Sequence, residues 1–122
     1  ILLEQLPDAS LEQIFILFPD PWPKSRHHKR RLINTAFLAS LARIMPKGAT
    51  LRIATDHEDY LSWILSHILA QKHFMLHLNN PSEAFVSYSN WTQTTYQKKA
   101  LKEGRKPCFL TLTRQTDSMP QL

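Results

Sequence analysis

Glycine is nearly absent: the chain of 122 residues contains two, Gly48 and Gly104. Neither a G-x-G-x-x-G turn nor a P-loop can be written with them, so the usual glycine-rich cradle for a nucleotide-like cofactor does not lie within these residues. Cysteine is scarcer still. The single Cys108 excludes an internal disulfide framework and a cysteine-rich zinc site, and it suits a reducing compartment. Long apolar runs are missing as well. The longest, Ile14–Phe18, is far short of the roughly 20 residues a spanning helix needs, and Pro19 follows it at once. The first residues, Ile1-Leu2-Leu3-Glu4, have neither an initiator Met nor the basic start of a secretory leader. The expectation is a soluble, cytoplasmic chain without a membrane segment, and one that is a piece of a longer polypeptide.

What is present is ordinary for a folded domain and tilted in charge. Hydrophobic residues make up 43% and aromatic residues 10%, which rules out a disordered or collagenous chain. Lys and Arg exceed Asp and Glu by 15 to 10, a net charge of +5 that favours an anionic partner. Ile14–Phe18 reads as a buried strand of a parallel sheet, apolar on both faces. Prolines 19, 21 and 23 then forbid helix or central strand, so Phe18–Lys24 is expected to be a stiff exposed loop at the strand's carboxyl end. From about Lys29, Leu32, Ile33, Ala36, Phe37, Leu41, Ile44 and Met45 recur at helical steps until Pro46-Lys47-Gly48 stops them. Ala49–Thr55 reads as a second strand. Leu61, Ile64, Leu65, Ile68 and Leu69 mark one face of a second helix, and Phe74–Leu78 reads as a third strand. Asn79–Thr92 is polar, Thr94–Glu103 suits a short helix, and Cys108–Thr113 alternates like an edge strand. Strand and helix alternate, which implies an α/β fold, and about four strands amount to half of a doubly wound sheet.

Two stretches could carry chemistry. In Phe18-Pro19-Asp20-Pro21-Trp22-Pro23-Lys24 the prolines brace Asp20 at a strand tip, where open α/β sheets bind ligands, and Trp22 offers a flat face for a base. The plainer reading is a proline-rich turn with a solvated acid. Lys24-Ser25-Arg26-His27-His28-Lys29-Arg30-Arg31 follows directly, with five permanent cations and two histidines in eight residues. Beside a stacking residue this suits a phosphate backbone; alone it would be a solvated charge run. Cations at the start of a helix oppose its dipole, so a helix beginning near Lys29 would be holding an anion. Asp56 is a second carboxylate at a strand end, although Thr55 or Asp56 could equally be the N-cap of the next helix. The histidines make no metal site: His73 and His77 lie on a strand, about 13 Å apart. His67 reads as a packed or surface residue rather than a catalyst, and Cys108 as a packing residue.

The stretch from Phe18 to Arg31, combining Pro-Asp-Pro-Trp with Arg-His-His-Lys-Arg-Arg, closely resembles the signature of the bacterial tRNA (guanine-N7-)-methyltransferases. Ala54-Thr55-Asp56 and Thr94-Thr95-Tyr96-Gln97 agree with two later landmarks of that family. The resemblance runs from about Leu6 to Thr113 and covers the C-terminal half of the family's protein. It implies a partial Rossmann-like, S-adenosylmethionine-dependent methyltransferase fold. Residues 1–114 would be the C-terminal half of a class I methyltransferase domain, with 115–122 a flexible tail. It also implies methyl transfer to guanine N7 in the variable loop of tRNA. By motif, Asp20 matches the aspartate of catalysis and of the cofactor pocket. Lys24, Asp56, Thr94, Thr95, Tyr96 and Gln97 match substrate-binding positions, and Arg26, His27, His28, Lys29, Arg30 and Arg31 match the RNA-contacting run. Gln97 departs from the family's usual Glu, keeping an acceptor oxygen without the charge. The main cofactor-binding half is expected upstream, so this piece alone would be inactive. The alternative is a non-catalytic RNA-binding module lacking that half.

Overall fold

A computed structural model of the chain describes residues 3–77 and 107–115. Four strands form one sheet in the order β1-β2-β4-β3. β1 (Gln13–Leu17) runs parallel to β2 (Thr50–Thr55), while β4 (Cys108–Arg114) is antiparallel both to β2 and to β3 (Phe74–His77). Helix α1 (Thr35–Ile44) connects β1 to β2, and α2 (Glu58–Leu69) connects β2 to β3.

The sheet register explains the core. Ile14, Leu51, Leu112 and Leu76 stand in one cross-strand row, and Ile16, Ile53 and Leu110 in the next. Both rows share a face because side chains alternate along a strand. Onto that face pack Leu38, Leu41 and Ile44 of α1 and Tyr60, Ile64 and Ile68 of α2. Each such aliphatic side chain, fully buried, contributes about 1.5–3 kcal/mol. Gly48 closes the turn between α1 and β2 with φ of 87°, a conformation that favours glycine, and its N–H donates to the Arg114 carbonyl at 2.8 Å.

Several sequence expectations shift. α1 begins at Thr35 rather than near Lys29, because Asn34 caps it by accepting from the Phe37 N–H at 2.8 Å. The basic run forms its own 3-10 helix, Ser25–Arg30, and the chain is extended again at Arg31. The cations therefore do not oppose the dipole of a long helix, and that argument for an anion lapses. Leu32 leaves the helical stripe and is 46% exposed, while Ile33 is fully buried. β1 is an edge strand among the described residues, with Phe15 44% exposed, so its apolar run is not buried on both faces. β4, expected at the edge, is interior: it pairs on both sides, and its short alternation reflects one covered face. Leu69 falls about 100° round the helix from the buried Ile68 and is exposed. The stretches 79–92 and 94–103, the residue at the end of the third strand, and the tail from 116 lie outside the described residues.

Candidate functional site

Because β1 and β2 are parallel, their carboxyl ends emerge at the same edge of the sheet. The Phe18 N–H donates to the Ala54 carbonyl at 2.7 Å, so the chain leaves β1 still tied to β2. The turn that follows is strained. Phe18 (φ 53°) and Trp22 (φ 41°) both sit in the left-handed region, which costs a non-glycine residue of order 1–3 kcal/mol each. Between them Asp20 is exposed, and its Oδ1 accepts from the Trp22 N–H at 3.0 Å. Prolines on either side and this bond to its own turn hold the carboxylate out at the strand tip.

The basic segment is sorted by its helix type. A 3-10 helix has about three residues per turn, so positions three apart share a face. Arg26 and Lys29 form the outer face, and both are exposed. His27 and Arg30 form a second face against Trp22: the His27 ring meets it edge-on at 5.6 Å, and the Arg30 guanidinium lies 5.1 Å from its centroid. Trp22 therefore organises the basic helix, and the stacking face expected for a base carries an arginine. His28 and Arg31 form the inward face. His28 Nε2 lies 3.3 Å from the Pro23 carbonyl oxygen, and its ring meets Trp63 edge-on at 5.7 Å. Lys24, just before the helix, is exposed.

Arg31 differs from its neighbours. Its side chain is 1% exposed, it donates from Nε to the Pro21 carbonyl at 2.7 Å, and it donates from Nη2 to Asp59 Oδ2 at 2.6 Å. Its guanidinium lies 5.1 Å from the Tyr60 ring centroid and 5.0 Å from that of Trp63. A group so enclosed cannot present itself to a phosphate, and the inclusion of Arg31 among surface RNA contacts does not match its placement. The hydrogen bond from Arg31 holds the Asp59 carboxyl below its ordinary range. Trp63 Nε1 donates to the Ile33 carbonyl at 2.7 Å, and the Ile33 N–H donates to the Tyr60 hydroxyl at 3.2 Å, so this aromatic wall is fixed in turn. Burial pushes the Tyr60 phenol up, and the negative charge of Asp20 adds to that rise.

Asp56 stands at the end of β2, half-buried, on the same sheet edge as Asp20. It is not the N-cap of α2, and neither is Thr55. His57 caps the helix, its Nδ1 accepting from the Tyr60 N–H at 3.1 Å, while Thr55 Oγ1 accepts from the His57 N–H at 3.3 Å. β4 starts at this edge, with Cys108 opposite Thr55. Thr94, Thr95, Tyr96 and Gln97 lie outside the described residues. Among the described residues no group of three or more His, Cys, Asp or Glu could hold a metal ion, and no helix is long and apolar enough to cross a membrane.

Sequence reasoning missed Asp59, Tyr60 and Trp63. The basic run, with cations at 24, 26, 29, 30 and 31, does not by itself single out Arg31. Its aromatic partners fall on a helix 28 or more positions away in sequence, where no local pattern connects them. His67 is a packing residue: its Nδ1 accepts from the Thr35 N–H at 2.9 Å, tying α2 to the start of α1.

A family model described as "Putative methyltransferase" matches residues 1–110. A tRNA (guanine-N(7)-)-methyltransferase of Rhodospirillum rubrum is 42% identical over 113 residues, covering 93% of this chain and 44% of that protein. One of Bartonella henselae is 44% identical over 110 residues, covering 90% of this chain and 47% of that protein. The chain thus spans less than half the length of these relatives. A solved SAM-dependent methyltransferase of Archaeoglobus fulgidus is 11% identical, with a TM-score of 0.44, covering 92% of this chain and 63% of that one. The family model takes in most of the chain, and the chain belongs to this putative methyltransferase family.

Proposed function

We propose that this chain forms the acceptor side of an S-adenosylmethionine-dependent methyltransferase that acts on N7 of a guanine in the variable loop of tRNA, in the cytoplasm. The observation that carries the reading is Asp20, held outward at a strand tip beside the exposed Arg26, Lys29 and Arg30. An exposed carboxylate at the carboxyl edge of the sheet suits a cationic ligand such as the cofactor's amine, while the two glycines leave the rest of that pocket to other residues. When bound, S-adenosylmethionine supplies a methyl group carried on a positively charged sulfur.

Guanine N7 has an in-plane lone pair and no proton, so the chain needs no general base to free it. What the site must provide is alignment and compensation for positive charge developing on the purine. Asp20 suits both roles: Oδ1 is anchored by the Trp22 N–H, and an exposed carboxylate can accept from a guanine edge or an amine. Asp56 supports the base from the neighbouring strand tip. Arg26, Lys29 and Arg30 neutralise phosphates, with Trp22 and His27 holding Arg30 in place. Lys24 extends the same cationic surface, and Thr94, Thr95, Tyr96 and Gln97 complete the substrate site. The test is methylation of tRNA by the whole protein with labelled S-adenosylmethionine, the product nucleoside being identified. Formation of 7-methylguanosine supports the reading. tRNA binding with no binding of S-adenosylmethionine by calorimetry would make the protein an RNA-binding module instead.

A further inference from the structure

We infer that Arg31 is a positioning residue that locks the two acid-bearing strand tips to each other, and that it makes no phosphate contact. What the two acids do rests on the reading above; the lock itself does not. Pro21, whose carbonyl accepts from Arg31 Nε, is bonded directly to Asp20 in the chain. Asp59, which accepts from Arg31 Nη2, lies in the first turn of α2, the turn that follows Asp56 and its His57 cap. One planar guanidinium therefore spans the peptide next to the first acid and the helix start next to the second. The tip after β1 is otherwise strained at Phe18 and Trp22, so it needs an outside tie to stay where it is. Tyr60 and Trp63 hold the guanidinium by its faces, and its near-complete burial leaves no surface for RNA. Lysine cannot substitute: a single ammonium does not offer two donors in a fixed fork, nor does it stack.

Two variants of the whole protein test this. Arg31→Lys keeps the charge and loses the fork, so hydrogen–deuterium exchange over residues 18–24 should rise while α1 stays protected. Turnover should fall about 10²-fold, as expected for reacting groups misplaced by about 1 Å. Arg31→Gln removes the charge, yet the slope of log K for tRNA against log salt should stay at the wild-type value, whereas losing one phosphate contact would lower it by roughly 0.7–0.9. Wild-type exchange in residues 18–24 of Arg31→Lys, or a shallower salt slope in Arg31→Gln, overturns the inference. If the wild-type protein makes no 7-methylguanosine, the proposed function falls, while exchange and salt slope still decide whether Arg31 is a lock.

Discussion

The two strand tips at the carboxyl edge of the sheet are built in opposite ways. The tip after β1 contains three prolines and two non-glycine residues in the left-handed region, and its acid is exposed and bonded to its own turn. The tip after β2 is relaxed: β2 passes through Asp56 into a helix that His57 caps, and none of its residues has a positive φ. Strain of a few kcal/mol survives only where surrounding structure enforces it, and it concentrates at sites that hold ligands. The contrast teaches that Asp20 is held in a fixed pose at a cost, whereas Asp56 comes with an ordinary strand-to-helix turn. The first tip should therefore be sensitive in function and the second tip partly in stability.

The largest effect should come from Asp20→Asn, which keeps an acceptor for the Trp22 N–H but loses the charge. Methylation by the whole protein should fall by about 10²–10³-fold, the range for losing one electrostatic contact to the transition state, with tRNA affinity nearly unchanged. Asp56→Asn should cost about tenfold, or about 1.4 kcal/mol. If Asp56→Asn matches or exceeds Asp20→Asn, the ranking of the two tips is reversed. Next is the double variant Arg26→Ala, Lys29→Ala, which removes the outer face of the basic helix. Its salt slope for tRNA should drop by roughly 0.7–0.9 for each cation, and an unchanged slope would remove that face from the interface.

Stability tests the second tip. His57→Ala should destabilise the protein by about 1 kcal/mol in urea titration, while His57→Asn, a stronger cap, should hold or raise stability. A loss in His57→Asn as large as in His57→Ala would mean the ring matters for packing and not as an acceptor. The smallest effect concerns the helix behind that tip. Burial lowers the His67 pKa, and its Nδ1 must stay unprotonated to accept from the Thr35 N–H. Between that lowered value and the ordinary one near 6.5, the unfolded chain binds more protons than the folded one, so stability rises with pH there. The contribution is fully present above about pH 6.5 and fades as the solution is acidified. Thermal melts at neutral and mildly acidic pH should show a smaller acid loss in His67→Gln than in wild type.

Much of the fold was legible because its signals are local. Ile14–Phe18 before three prolines, the Pro46-Lys47-Gly48 stop and the Ile64–Ile68 stripe each announce an element through its own neighbours. The start of α1 was misplaced because Leu32 and Ile33 keep the helical rhythm while the backbone is still extended; Asn34 as cap was the competing signal. The position of β4 in the sheet was illegible, since whether a strand is an edge depends on what pairs with it. At the site, the proline-braced acid and the exposed cations were plain in sequence, and the burial of Arg31 was not.

The sequence by itself determined which chemistry is carried: an acid that prolines hold in place, five cations clustered within eight residues, and too few glycines for a phosphate cradle. Those properties reside in side-chain types and in local backbone restrictions. Only the tertiary structure decided which of two adjacent arginines faces water and which is enclosed, and that Asp20 and Asp56 share one edge. Charge is written into each residue, but its surroundings are set by parallel strand pairing and by α2, which brings Asp59, Tyr60 and Trp63 to Arg31 from far along the chain.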